Sequence, residues 1–177
     1  MRRYLLIILV PGLVAGCSAG YPAARATSTL ANDATCHDRH YADGAIGADP
    51  RCTPGALNRA ALAHPRKTIC RRRYLAKLEA PEAGLRRLKI AMMITYGSAG
   101  APSTYVLGHV VPVQDGGSPA DPKNVWPILR YGWGGALTQA VVANAVHALI
   151  CAGTVTVRHA AQILEGDWLR HGIPNHD

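Results

Sequence analysis

The chain has 177 residues and a formal net charge of +8, with 49% hydrophobic residues, 17% charged residues, 18 glycines, 12 prolines and no phenylalanine. That length bounds it to one modest domain with tails, and a mean hydropathy of +0.03 is too apolar for a wholly disordered chain. A polytopic membrane protein is excluded because the apolar residues do not gather into several bilayer-length runs, and a coiled coil because Gly and Pro interrupt any heptad. The pI near 9.6 favours an anionic partner, either nucleic acid or a lipid headgroup surface.

Arg2 and Arg3 precede an apolar run from Tyr4 to Val14, followed by small residues and Cys17. A charged start and an apolar stretch too short to span a bilayer predict an export signal over residues 1–17. Val14-Ala15-Gly16-Cys17 is similar to a bacterial lipobox, which implies cleavage before Cys17 and lipidation of its thiol. The alternative is plain secretion, with cleavage nearby, for instance after Ala19. Both predict an exported chain, periplasmic or held to the membrane as a lipoprotein. Losing Arg2 and Arg3 lowers the net charge from +8 to +6. Four cysteines remain, Cys36, Cys52, Cys70 and Cys151, and an even count in an exported chain argues for two disulfides. Three pairings are possible. We expect Cys36–Cys52 and Cys70–Cys151, each contributing roughly 3 to 5 kcal/mol in the chain-entropy account.

Residues 18–50 are rich in Ala, Ser, Thr, Asp and Gly without helical or alternating period, so they are expected to form a flexible arm. The domain is expected over 51–172, with a tail at 173–177. From Thr53 to Gly97 the texture is helical and basic, with ten Lys and Arg against Glu79 and Glu82. Arg71, Arg72, Arg73, Arg86 and Arg87 are the candidates for phosphate contact, although such a run can equally be a solvated face. Pro81 to Thr95 predicts a helix that Gly97 ends. Thr104 to Val113 reads as a strand, Asp115-Gly116-Gly117-Ser118-Pro119 as turn chemistry, and Asn124-Val125-Trp126-Pro127 as the return strand of a long-loop hairpin. A helix follows over Ala136 to Cys151 and runs into Gly153. A last helix starts with Thr156 as its N-cap and continues to Trp168.

His109 on the strand, Asn124 at the return, and Asn144 with His147 on the helix follow the order of a ββα-metal fold. The residue types suit phosphodiester chemistry. A neutral imidazole can deprotonate an attacking water, and a divalent cation can polarise the phosphoryl and leaving oxygens. Asn124 can fix the loop without adding charge. Asn144 and His147 are three apart on a helix and face the same way, so they can share an ion. Read without chemistry, His109 is a satisfied core histidine, Asn144 a hydrogen-bonding residue and His147 a prop for a loop.

The chain resembles the small exported HNH-endonuclease-like proteins of bacteria, over about Cys52 to Trp168. The resemblance is carried by Thr53-Pro54-Gly55 with Asn58, Thr68-Ile69-Cys70, Tyr96-Gly97, His109 through Pro127, Asn144 with His147, Ile150-Cys151-Ala152-Gly153, and Ala161-Gln162 before Asp167-Trp168. Gly116-Gly117 through Trp126-Pro127 is its most specific part. It implies an α+β, HNH-like core of hairpin and helix flanked by further helices, with His109 as general base, Asn124 as the middle Asn, Asn144 and His147 on the metal side, and Cys70 and Cys151 as the family's cysteines. It also implies Mg²⁺ or another divalent cation, and DNA or RNA as partner. The chain departs from the pattern where Gly108 replaces an Asp before the first His, and at Gln139-Ala140 and Ala143-Asn144 on the helix. A hard cation with no carboxylate binds weakly. The expectation is therefore a nuclease of reduced activity, with an inactive envelope lipoprotein or nucleic-acid-binding module as the alternative.

Overall fold

The two short sheets and five helices of this computed structural model are described for residues 35–78 and 82–172. Residues 1–34, with the export signal and Cys17, and the tail at 173–177 lie outside them. The chain opens as a small hairpin, β1 (Arg39–His40) and β2 (Ile46–Gly47), followed by α1 (Arg59–Ala63), α2 (Glu82–Thr95), β3 (Tyr105–His109), β4 (Val125–Leu129), α3 (Ala136–Ala152), α4 (Val157–Glu165) and α5 (Trp168–Gly172). It is an α+β protein with two antiparallel sheets and two disulfides.

Local sequence accounts for several helix ends. Asn58 caps α1 by accepting from the Ala60 and Ala61 amides, and Thr156 caps α4 by accepting from the His159 amide. α3 ends at Gly153, whose left-handed backbone returns its amide to Leu149 and Ile150. α3 buries Val142, Val146 and Ile150, spaced one turn apart, against Ala61, Val157, Ala161, Leu164 and Trp168. A second core forms where α2 lies on the larger sheet, from Met92, Tyr96, Val110, Val125, Trp126 and Ile128. β3 and β4 pair with His109 opposite Val125 and Gly108 opposite Trp126. Pro127 fits β4 because a two-stranded sheet leaves each strand an edge.

Three expectations change. The arm expected over 18–50 is, from Thr35 on, tied to the body. Cys36 is buried and bonded to Cys52, Asp49 is buried, and the Trp168 indole donates to the Ile46 carbonyl at 3.0 Å. Two-residue strands leave no periodicity to read, so long-range bonds do the work that pattern does elsewhere. Ahead of α2, the helical texture after Thr53 yields, among the described residues, only α1 and single turns at 65–67 and 75–77, because Pro54 and Pro65 interrupt it and Cys70 is bonded away to Cys151. The last helix breaks at Gly166 into α4 and α5. Both expected disulfides are present, with Cα separations of 6.0 Å for Cys36–Cys52 and 5.6 Å for Cys70–Cys151. Two such bonds suit an oxidising, exported setting. No helix among the described residues is long and apolar enough to cross a membrane.

Candidate functional site

The loop between β3 and β4 is organised by one buried amide. Asn124 Oδ1 accepts from the Val111 amide at 3.0 Å and the Ala56 amide at 3.3 Å. Its Nδ2 donates to the Val111 carbonyl at 2.9 Å and the Ser118 carbonyl at 2.8 Å. Asn124 thus matches the backbone of three segments from a fully buried position, and acts as a positioning residue. Gly117 is dictated by this closeness, since a Cβ there would lie 1.8 Å from the Val111 carbonyl oxygen and 2.7 Å from Asn124 Nδ2.

His109 ends β3 with its Nε2 2.9 Å from the Pro119 carbonyl oxygen. A carbonyl only accepts, so Nε2 carries the proton and Nδ1 keeps its lone pair. Nδ1 has no hydrogen-bond partner among the described residues and reaches solvent. Burial lowers the pKa of the ring below its usual 6.5, an effect that the Pro119 bond opposes in part, so the ring is neutral at neutral pH. The imidazole lines a cleft of about 210 Å³ between β3 and α3, walled by Gly108, Gln139, Ala140 and Ala143.

Of the polar residues on α3, Gln139 lines this cleft and Asn144 and His147 do not, and each has another task. Gln139, which breaks the apolar pattern of α3, donates from Nε2 to the His109 carbonyl at 3.1 Å and so ties the helix to the strand end. Asn144 Oδ1 accepts from Gln114 Nε2 at 3.0 Å. His147 Nδ1 donates to the Gln114 carbonyl at 2.7 Å, and its Nε2 lies 3.6 Å from Cys151 Sγ. The structure therefore brings all three to the β3–β4 loop, His109 through Pro119 and Asn144 and His147 through Gln114, but both helix residues are used in gripping that loop.

A hard cation does not fit this donor set. Gly108, Ala140 and Ala143 offer no side-chain oxygen, Asn144 Oδ1 is taken, and the lone pair of His147 faces a disulfide. No group of three or more His, Cys, Asp or Glu that could hold a metal occurs among the described residues. The space for a carboxylate before His109 is also filled. A Cβ at Gly108 would lie 2.5 Å from Ile128 Cγ2, and Ile128 is only 1% exposed.

Sequence reading took Asp115 as turn chemistry, and the structure buries it completely beneath this loop. Neither carboxyl oxygen has a hydrogen-bond partner, Oδ1 lies 3.6 Å from His147 Nδ1, and burial pushes the pKa up to about 8. Gln114 carries no signal in the sequence, and Gln139 stands out there only as a departure from the HNH pattern. Of the basic candidates, Arg86 lines a groove that adjoins the cleft, together with Lys89. Arg71, Arg72, Arg73 and Arg87 are exposed and line none of the clefts beside His109.

No protein-family model, curated protein or solved structure matches this chain.

Proposed function

We propose that the protein is an exported, HNH-like phosphodiesterase of reduced activity, with His109 as its base. The observation that carries this reading is the state of one ring. His109 is neutral, is oriented by Pro119 through Nε2, and presents an unpartnered Nδ1 at an open cleft. Such a nitrogen can take the proton of a water attacking phosphorus, and Nε2 stays fixed while it does so. Asn124 supports the ring indirectly, since its bond to the Ser118 carbonyl holds the segment that contains Pro119. The hairpin followed by a facing helix, with His109, Asn124 and Asn144 in chain order, agrees with the resemblance noted above. Because the donor set does not suit a hard cation, no step runs through one, and the missing charge stabilisation keeps the rate low. The signal sequence and lipobox favour an envelope location, with Cys17 as the point of attachment.

A second reading has its own observation. Ile128 filling the space beside Gly108, with alanines at 140 and 143, is what a nucleic-acid-binding module that has given up cleavage would show. Plasmid DNA incubated with the mature, disulfide-bonded protein separates the two. Slow nicking that persists with a chelator and disappears in His109→Ala supports the phosphodiesterase. Salt-sensitive retention of DNA without nicking supports the module, and the absence of both nicking and retention refutes both readings.

A further inference from the structure

Three clefts lie end to end along the face that carries His109. The first, of about 540 Å³, is lined by Arg86, Lys89, Ile90 and Pro102, together with Leu85 and Leu107. The second, of about 370 Å³, is walled by Leu75, Leu78, Leu85 and Leu107 and reaches His109 and Gln114. The third is the cleft between His109 and α3. Leu85 and Leu107 are common to the first two, and His109, Pro112 and Gln114 to the last two, so they form one groove. The first two chambers, at about 540 and 370 Å³, each fall within the range of roughly 300–1,000 Å³ typical of small-ligand sites.

The groove changes chemistry along its length. The middle chamber is aliphatic, with His109 and Gln114 as polar groups at one end. Unpaired bases are held chiefly on broad aromatic planes and by their polar edges, and no Phe, Tyr or Trp lines this groove among the described residues. Leucines instead give a hydrocarbon chain non-directional contact and release its hydration water. At the other end the charge is positive. Lys89 Nζ donates to the Pro102 and Tyr105 carbonyls at 2.9 and 3.3 Å, which fixes the ammonium at the rim with no acidic partner among the described residues. Arg86 stands one helical turn earlier on the same wall.

We propose that this groove binds a monomeric, single-chain anionic amphiphile, with its hydrocarbon chain in the leucine chamber and its charged head at Arg86 and Lys89. The inference goes beyond the phosphodiester reading and does not require cleavage at His109. The test is displacement of a fluorescent fatty-acid analogue from the disulfide-bonded protein by n-alkyl phosphates of increasing length, all below their micelle-forming concentrations. Each added methylene tightens Kd by about fourfold until the chamber is full, and then the gain stops. Leu78→Glu flattens this dependence on chain length. Arg86→Glu, at an exposed position, weakens every member of the series by a similar factor and leaves the slope intact. Nicking is measured in parallel on the unsubstituted protein: a dependence on chain length without nicking upholds this proposal and refutes the phosphodiesterase, and nicking without that dependence does the reverse, so the two readings fail separately. An affinity independent of chain length in the unsubstituted protein overturns the proposal. So does binding to anionic vesicles but not to monomers, or stronger displacement by a short oligonucleotide than by the alkyl phosphates.

Discussion

Restoring a carboxylate before His109 is the direct test of whether the cleft is an HNH-like site missing only a ligand. Gly108→Asp must place its Cβ 2.5 Å from Ile128 Cγ2 and 3.4 Å from Ile128 Cβ. Ile128 cannot step aside, because it is packed with Met92, Val110 and Trp126 in the core beneath the sheet. Overpacking of this kind costs about 1–3 kcal/mol, and a carboxyl that lands buried without a partner adds about 1–3 kcal/mol. The single variant should therefore lose roughly 2–6 kcal/mol, a large share of the 5–15 kcal/mol of a typical domain, and gain no nicking. Ile128→Ala costs about 2–5 kcal/mol alone, but it empties the volume that the new Cβ needs. The double variant should be more stable than the sum of the singles by about 1–3 kcal/mol, and should be the form that gains Mg²⁺-stimulated nicking. Urea unfolding of the four proteins at one pH, with a nicking assay on each, measures both effects. A Gly108→Asp protein as stable as its parent, or singles that add within about 0.5 kcal/mol, refutes the argument from shared space.

Asp115 makes a prediction about pH. Its pKa is about 8 when folded against an ordinary 3.8, so as pH rises between those values the unfolded chain gives up the proton first and stability falls. At 1.36 kcal/mol per unit the loss is at most roughly 5–6 kcal/mol, and it is absent below pH 3.8. Asp115→Asn should therefore flatten the decline of urea midpoints across this window and stabilise the protein on the alkaline side; an unchanged decline would count against the burial argument. His109, whose pKa lies below 6.5, should keep its basic form into mildly acidic solution. An NMR titration of its ring should give a midpoint under that value, and one above it would contradict the desolvated site. Asn124→Ala leaves two amides and two carbonyls unmatched, and should lower stability by about 3–5 kcal/mol in thermal unfolding. A loss under about 1 kcal/mol would show that the amide does not organise the loop.

What the sequence disclosed was local. Thr156 and Gly97 mark helix ends by capping rules that act within a few residues, and the β3–β4 hairpin follows from apolar runs flanking Gly116-Gly117. The roles of Asn144 and His147 were not readable, because helix spacing places two side chains on one face without saying what lies opposite. Here Gln114 lies opposite, a residue that no pattern marks. Gly108 shows the same limit. Its missing side chain reads as a lost ligand in one dimension, and only the pairing of β3 with β4 reveals the isoleucine that occupies the space. Asp115 had the appearance of a solvated turn residue, and its burial depends on α3 crossing above it.

The bond between Cys70 and Cys151 closes a covalent ring that contains His109, Asn124 and nearly all of α3. Exposed turns within that ring, at Ala99-Gly100 and at Tyr131-Gly132, are natural points for a protease to cut. A clip at either turn would yield two polypeptides still fastened to each other, with every residue around the imidazole retained, and the scission would show on a gel only after a reductant is added.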